Sequence, residues 1–186
     1  MMTRDEGEQL LRAHIDVESY LLPHSLESEA VMRAVARHLD RDVEKWGLAG
    51  LLHDIEFSQT AETPQQHGLI AEEILRGHDL PEDLIGAIKA HNGEHNGTPI
   101  TEEFHHALRC SETITGLISA AALVQPDKKL ASVKPKSVKK KFKDKAFARR
   151  VNRDTVRECE KLGLELREFM ELALGAMQEI APKVGL

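Results

Sequence analysis

The sequence predicts an all-α fold of packed helices. Apolar residues recur with the 3.6-residue period of amphipathic helices along most of the chain. Alternating β-branched runs are absent, and no Asn-Gly turn joins two apolar strand-like segments. The length of 186 residues and the hydrophobic content of 41% suit one globular domain with a proper core.

The N-terminal half contains five predicted helices. The first begins at Thr3, where Thr and Glu6 form a capping box, and extends to about residue 18. The fourth begins with Pro64 at its first helical position. The fifth begins at Pro81 and ends at His91. The predicted ranges are about 3–18, 23–39, 43–53, 64–76 and 81–91.

The C-terminal half begins with turn residues, since 92–99 reads Asn-Gly-Glu-His-Asn-Gly-Thr-Pro and predicts a loop. A long helix is expected over about 101–124, where Pro126 interrupts the pattern. Asn152 is typical of a helix cap, and a last helix is expected over about 166–180.

The net charge of −6 is unevenly distributed. Residues 128–153 contain twelve Lys and Arg against one acid, Asp144, which gives +11 and leaves −17 for the rest of the chain. Such a segment either forms a solvated surface packed against the acidic remainder or binds an anionic ligand. The composition argues against nucleic acid as the main partner, because only Phe142 and Phe147 interrupt the basic residues and aromatic residues make up 4% of the chain.

Composition also predicts a location. No apolar run approaches the roughly 20 residues that span a bilayer, so no membrane partner is expected. The N-terminus shows no signal-peptide pattern. The two cysteines, Cys110 and Cys159, lack framework spacing. Together these features favour a reducing, cytoplasmic setting.

Histidine and carboxylate side chains recur at long intervals, with His53 and Asp54 adjacent at the end of an apolar helix. The other candidates fall at helix ends or on other predicted helices: His24, His67, His91 and Glu112. Helices of a bundle can direct such groups to one interior point. Nitrogen and oxygen ligands suit a divalent ion such as Mn, Fe, Co, Ni, Zn or Mg. The alternative is a buried hydrogen-bonded pair at His53 and Asp54, with the other side chains capping helices or facing solvent.

The flanks of these residues resemble the HD superfamily of metal-dependent phosphohydrolases, in particular its HDIG-type bacterial subgroup. The similar pieces are residues 24–36, 46–54, 67–75 and 87–92, so the resemblance covers about 20–124, and residues 136–148 are similar to a bacterial subgroup of small HD proteins. It implies one HD-domain helical bundle over 1–186. The basic segment 128–153 and the C-terminal helices 153–182 would pack on the core.

The resemblance implies one or two divalent ions held by His24, His53, Asp54 and Glu112, with His67 and His91 at the second ion and Asp54 bridging. Asp54 and His53 are then the catalytic residues of a phosphohydrolase acting on a small phosphorylated compound such as a nucleotide. Lys136, Lys139 and Lys140 are candidates to neutralise its phosphate. The oligomeric state is left open.

Three departures from the family pattern bear on the activity. Glu112 stands where the last ligand is usually Asp, and Glu56 stands where the HDIG motif has Gly. Phe57 and Ser58 replace the acids found there in related nucleotidases and guanosine tetraphosphate hydrolases, which weighs against both activities. A second hypothesis is therefore a metal-binding HD protein without turnover, which serves as a ligand sensor or partner-binding module.

Overall fold

The computed structural model describes residues 2–186, and within them helices alternate with turns and no strand occurs. The all-α prediction is confirmed. The α-helices are α1 Arg4–His14, α2 Leu21–His38, α3 Val43–Leu52, α4 Phe57–Thr60, α5 Leu69–Leu75, α6 Glu82–His91, α7 Gly93–Asn96, α8 Glu103–Leu123, α9 Pro135–Lys143, α10 Arg153–Val156 and α11 Leu166–Val184. Two 3₁₀ segments, Leu130–Ser132 and Arg157–Leu162, complete the secondary structure.

Helix α8 forms the centre of the bundle. It packs against α2, α3 and α6 on the N-terminal side and against α9, α10 and α11 on the C-terminal side. Its inner face is fully buried, with Leu108, Ile114 and Leu117 at 0% exposure. Burial of such side chains contributes about 1.5–3 kcal/mol each. The long helix predicted from the sequence is therefore the element on which both halves of the chain pack.

Helices α2 and α3 approach each other closely at Gly50. A Cβ atom at Gly50 would lie 2.7 Å from the backbone oxygen of Ser28 on α2. Only glycine permits this contact, which brings the end of α3 against the start of α2. The approach matters because α3 ends immediately before His53 and α2 carries His24.

Several predicted boundaries agree with the structure. The capping box of Thr3 and Glu6 is formed, α6 begins directly after Pro81, and Asn152 caps α10 through its side-chain oxygen. The first helix, however, ends at His14, because residues 16–19 form a turn in which the Asp16 carboxylate accepts a hydrogen bond from the backbone of Glu18.

The prediction of a helix beginning at Pro64 was wrong, since 64–68 forms turns and α5 begins at Leu69. The cause is Gly68, whose φ of +88° lies outside the helical region. A Cβ there would lie 2.8 Å from the backbone oxygen of Lys89. The loop predicted over 92–99 also contains one helical turn, α7.

No helix within residues 2–186 combines the length and apolar character needed to cross a membrane.

Candidate metal centre

The structure brings all six candidate ligands together at one end of α3. His53 and Asp54 follow α3 directly, and the remaining four come from α2, the turn before α5, the last residue of α6 and the middle of α8. Their donor atoms form two groups, each with all atoms within 4.8 Å of one another. The first group is His24, His53 and Glu112, and the second is Asp54, His67 and His91.

Asp54 lies between the two groups. One carboxylate oxygen is 3.2 Å from Nε2 of His67 and 3.5 Å from Nε2 of His53, and the other is 3.7 Å from Nε2 of His24. The carboxylate therefore faces imidazoles of both groups at once. This arrangement suits a ligand that bridges two ions, as the resemblance implied.

Within each group two imidazole nitrogens face each other directly. Nε2 of His53 lies 3.2 Å from Nε2 of His24, and Nε2 of His91 lies 2.9 Å from Nε2 of His67. The consequence depends on which nitrogen of each ring carries the proton.

In all four rings the hydrogen bond of Nδ1 determines which nitrogen carries the proton of the neutral form. Nδ1 of His53 donates to the backbone oxygen of Gly50 at 2.9 Å, and Nδ1 of His91 donates to the backbone oxygen of Ile88. Nδ1 of His67 donates to a carboxylate oxygen of Glu56 at 2.9 Å.

The fourth ring, His24, is held from α8. The Thr115 hydroxyl donates to the backbone oxygen of Glu112 at 2.7 Å, so it accepts from Nδ1 of His24 at 3.1 Å. In the neutral rings every Nε2 therefore presents a lone pair, and paired lone pairs at these distances repel unless a proton or a metal cation lies between them. Ring anchoring of this kind is usual for metal-ligating histidine, and the donor set fits a divalent ion.

The electrostatics of the cluster suit a cation as well. Burial lowers the pKa of His53 to about 3, which keeps the ring neutral and able to ligate. Burial alone would raise the pKa of Asp54, but His53 and the hydrogen bonds from His67 and His91 hold it well below its usual value. Burial opposes protonation of His67, yet Asp54 and Glu56 raise its pKa to about 10. The carboxylates of Asp54 and Glu56 thus favour a positive charge at the cluster.

Glu112 differs from the other candidate ligands because it is half-buried and forms no ion pair within the residues that the structure describes. Burial raises its pKa to about 8, and the nearby charge of Asp54 adds to the rise. Its carboxylate accepts a hydrogen bond from the Thr113 hydroxyl. A bound ion would compensate the buried charge of this carboxylate, which is consistent with Glu112 as a ligand.

Glu56 supports His67 from behind. This side chain is 0% exposed, and one carboxylate oxygen accepts from Nδ1 of His67 at 2.9 Å and from the backbone amide of Gly68 at 2.6 Å. Sequence reasoning noted Glu56 as a departure from a motif but assigned it no role. The signal was its position two residues after Asp54, where glycine would offer no side chain.

A cleft of about 420 Å³ opens over the cluster. Its floor includes Asp54, His67 and His91, and its walls combine the α8 face with residues beyond α9: Arg109, Glu112, Thr113, Gly116, Arg150, Val151, Asn152 and Thr155. His95, in the segment predicted as a loop, also lines it.

The structure does not bring the three candidate lysines to this cleft. Lys136 and Lys139 line a separate cavity beside Arg167 and Met170, and Lys140 is exposed on the same helix, α9. The basic segment reaches the cleft through Arg150 instead. Sequence reasoning missed Arg150 because nothing in the run of basic residues marks which one turns towards the cluster.

Arg109 is a second residue that the sequence did not single out. It is 2% exposed and donates to Glu158 through two nitrogens, to Glu94 at 2.8 Å and to the backbone oxygen of His91 at 2.7 Å. Its charge is therefore occupied by acids. Arg109 ties the end of α6, and with it His91, to the 3₁₀ segment that contains Glu158.

Fold and site together define an all-α protein with a clustered histidine and carboxylate centre suited to divalent metal. The model of the HD domain family matches residues 21–131, and the chain belongs to this family.

Curated relatives align with part of the chain. Ribonuclease Y of Nitratidesulfovibrio vulgaris (strain DP4) is 32% identical over 106 residues, which are 57% of this chain and 20% of the relative. Ribonuclease Y of Thermosipho melanesiensis is 36% identical over 83 residues, 45% of this chain and 16% of the relative. The chain thus spans about a fifth or less of the relatives' length. No solved structure matches the chain.

Proposed function

We propose that the protein is a metal-dependent phosphohydrolase whose centre holds two divalent ions. One observation carries the proposal: four imidazoles, each anchored through Nδ1, direct their Nε2 atoms towards one another around Asp54. Membership of the HD domain family supports the same conclusion.

His24, His53 and Glu112 would hold one ion, His67 and His91 the other, and Asp54 would bridge them. When bound, a divalent ion polarises a phosphoryl oxygen and makes water a better nucleophile at neutral pH. Asp54 is 8% exposed and lies in the cleft floor, where it can orient an attacking water and accept its proton. The ring of His53 stays neutral and fixes the geometry of Asp54.

The substrate we propose is a small phosphorylated compound such as a nucleotide. A cleft of about 420 Å³ has room for one such unit and for its phosphate beside the cluster. Arg150 in the wall offers a guanidinium for that phosphate. The lysines Lys136, Lys139 and Lys140 then remain candidates only for phosphates outside the cleft.

A second candidate substrate is the phosphodiester of a nucleic-acid strand, of which one unit occupies the cleft. It is favoured by the relatives, which are named Ribonuclease Y. Both candidates need the same metal chemistry. We also propose a cytoplasmic location, with which the two buried, unpaired cysteines agree.

The test combines metal content with hydrolysis. Purified protein should contain about two equivalents of transition metal and hydrolyse an aryl phosphodiester or monoester with added Mn²⁺. Asp54→Ala and His53→Ala should lose both properties. His78→Ala, which removes an exposed histidine outside the cluster, serves as the matched control. Metal without turnover on any phosphate ester would favour the non-catalytic hypothesis, whereas no metal after incubation with Mn²⁺, Co²⁺ and Zn²⁺ would refute the proposed centre.

A further inference from the structure

The positive charges of the basic segment have no acidic partners. Eleven Lys and Arg occur over residues 128–150, and none forms an ion pair within the part of the chain that the structure describes. Ten of them are exposed, and the eleventh, Lys141, is half-buried with its ammonium 4.0 Å from the Phe147 ring centroid. Within the described residues these charges therefore face solvent and make no close ion pairs with the acidic remainder.

Acidic residues elsewhere do find cationic partners. Arg33 pairs with Glu44 at 2.7 Å, and Arg41 pairs with Glu103 at 2.8 Å. Since the chain carries more acids than bases, a shortage of carboxylates does not explain the unpaired segment. Crowded like charges destabilise the folded protein, and a polyanion that binds them removes that cost.

The packing of α9 determines which of its side chains face outward. Val138 and Phe142 are buried and hold α9 against α8 and α11, which leaves its lysines on the outside. We call the exposed cations from Lys134 to Arg150 the basic surface.

The end of the basic surface is fixed at the cleft by Arg153. Its guanidinium donates to the backbone oxygens of Phe147, Ala148 and Val151, the last two at 2.7 Å. These bonds hold the turns after α9 in one shape and place Arg150 in the cleft wall. One residue of the basic surface, Arg150, thus lines the cleft over the metal centre.

An exposed aromatic ring stands at the same mouth. Tyr20 is 66% exposed and meets Phe57, which lines the cleft, edge to face at 6.5 Å between ring centroids. Burial raises the pKa of Tyr20, the charge of Asp54 raises it further and that of Arg150 lowers it, so the hydroxyl is near both. A free aromatic face beside a cationic surface is the combination that binds single-stranded nucleic acid.

We propose that the basic surface binds a single strand of nucleic acid and delivers one of its phosphates to the metal centre, with Arg150 on that phosphate and a base stacked on Tyr20. The inference rests on the proposed phosphohydrolase function and selects a strand over a free small compound as substrate. The residues that carry it lie beyond residue 131, where the family match ends, apart from Tyr20 and Phe57.

The test measures binding without turnover. The full-length chain, in chelator, is titrated against a fluorescein-labelled 12-nucleotide RNA by anisotropy at several salt concentrations. The triple variant Lys136→Ala, Lys139→Ala, Lys140→Ala should bind about tenfold or more weakly, with a log–log salt slope lower by about 2. Tyr20→Ala should weaken binding about fivefold or more through lost stacking.

The matched control is Arg37→Ala, Lys161→Ala, Lys183→Ala, which removes three exposed cations elsewhere and takes the net charge from −6 to the same −9. It should change the dissociation constant less than twofold. A matching pair for the cleft is Arg150→Gln, expected to weaken binding, against Arg37→Gln, an exposed arginine outside the basic surface, expected not to.

Equal weakening by both triple variants would show a non-specific charge effect and overturn the inference. So would an unchanged constant in the basic-surface triple, no RNA binding by the parent, or binding of phosphatidylserine vesicles in place of RNA. The outcomes that would refute the binding proposal can be distinguished from those that would refute the proposed phosphohydrolase function. If the protein hydrolyses a small ester but does not bind RNA specifically, only the proposal of a nucleic-acid strand is refuted. If it binds RNA specifically but contains no metal and shows no turnover, only the phosphohydrolase proposal is refuted.

Discussion

Substitution of Glu56 by glutamine should weaken one of the two proposed metal positions. The side chain is fully buried and its carboxylate holds Nδ1 of His67 at 2.9 Å. Glutamine keeps the size and leaves a carbonyl to accept the same hydrogen bond, but it removes the charge. The change therefore isolates the electrostatic contribution of Glu56 to the orientation and basicity of His67.

The magnitude follows from the hydrogen bond that changes. A bond to a charged group contributes about 1.5–3 kcal/mol, against about 0.5–1.5 kcal/mol for a neutral one. The loss of about 1–1.5 kcal/mol at His67 corresponds to about tenfold in metal affinity. This agrees with the range of about 10–100-fold for substitution of residues that support a metal ligand.

The assay is metal binding by equilibrium dialysis against graded free Mn²⁺, with the bound metal measured by elemental analysis. Glu56→Gln should shift one binding step about tenfold and leave the other within twofold. Glu73→Gln, an exposed glutamate on α5, is the control and should shift neither. If Glu56→Gln binds both ions like the parent, the support of His67 by Glu56 is refuted, and an equal shift of both steps with a lower melting temperature would indicate general loss of structure.

The remaining predictions concern stability. Burial raises the pKa of Glu27 to about 7 although the Ser119 hydroxyl donates to it at 2.8 Å. Folding thus favours the protonated carboxyl of Glu27. The stability that this protonation contributes, up to about 3 kcal/mol, is fully present below pH 4.5 and is lost as the pH rises through about 7. In urea denaturation Glu27→Gln should gain stability over the parent across that window, and a difference that does not vary with pH would contradict this. Gly50→Ala should lower the free energy of unfolding by about 2 kcal/mol, because the new Cβ atom would lie 2.7 Å from the backbone of α2. Gly86→Ala, with nothing within 4 Å, should gain about 0.5–1 kcal/mol, and similar values for both glycines would disprove the steric argument.

The fold could be predicted from the sequence where local signals decide the structure. The capping box at Thr3 and the apolar period of α8 act within one helix, and both predictions were confirmed. The helix expected from Pro64 was wrong, because the backbone there is set by contacts with distant segments. His67 accepts hydrogen bonds on its backbone oxygen from Asn92 and Asn96, and Gly68 packs against Lys89.

The six candidate ligands could be proposed from the sequence because their spacing resembled that of a known family, not because any one histidine is distinctive. The residues that support these side chains could not be predicted from the sequence. Glu56 and Thr115 act by holding Nδ1 of a ring that is far away in sequence or across the bundle, and single residues carry no signal of such a partner. The lysines were misplaced relative to the cleft for the same reason, since charge density does not determine which side chain faces inward.

The chain would divide the two tasks of the proposed hydrolase between different parts of its sequence. All six proposed ligands lie within residues 21–131, which match the family, whereas Arg150, Asn152 and Thr155 in the cleft wall lie beyond it. The alignments with Ribonuclease Y cover at most 57% of this chain among the relatives described. The family match therefore supports metal chemistry at the proposed ligands, while the surface that would select the substrate must be tested on this chain. The link from Arg109 to Glu158 couples the two parts, because it fastens His91 of the metal centre to the segment that follows the cleft wall.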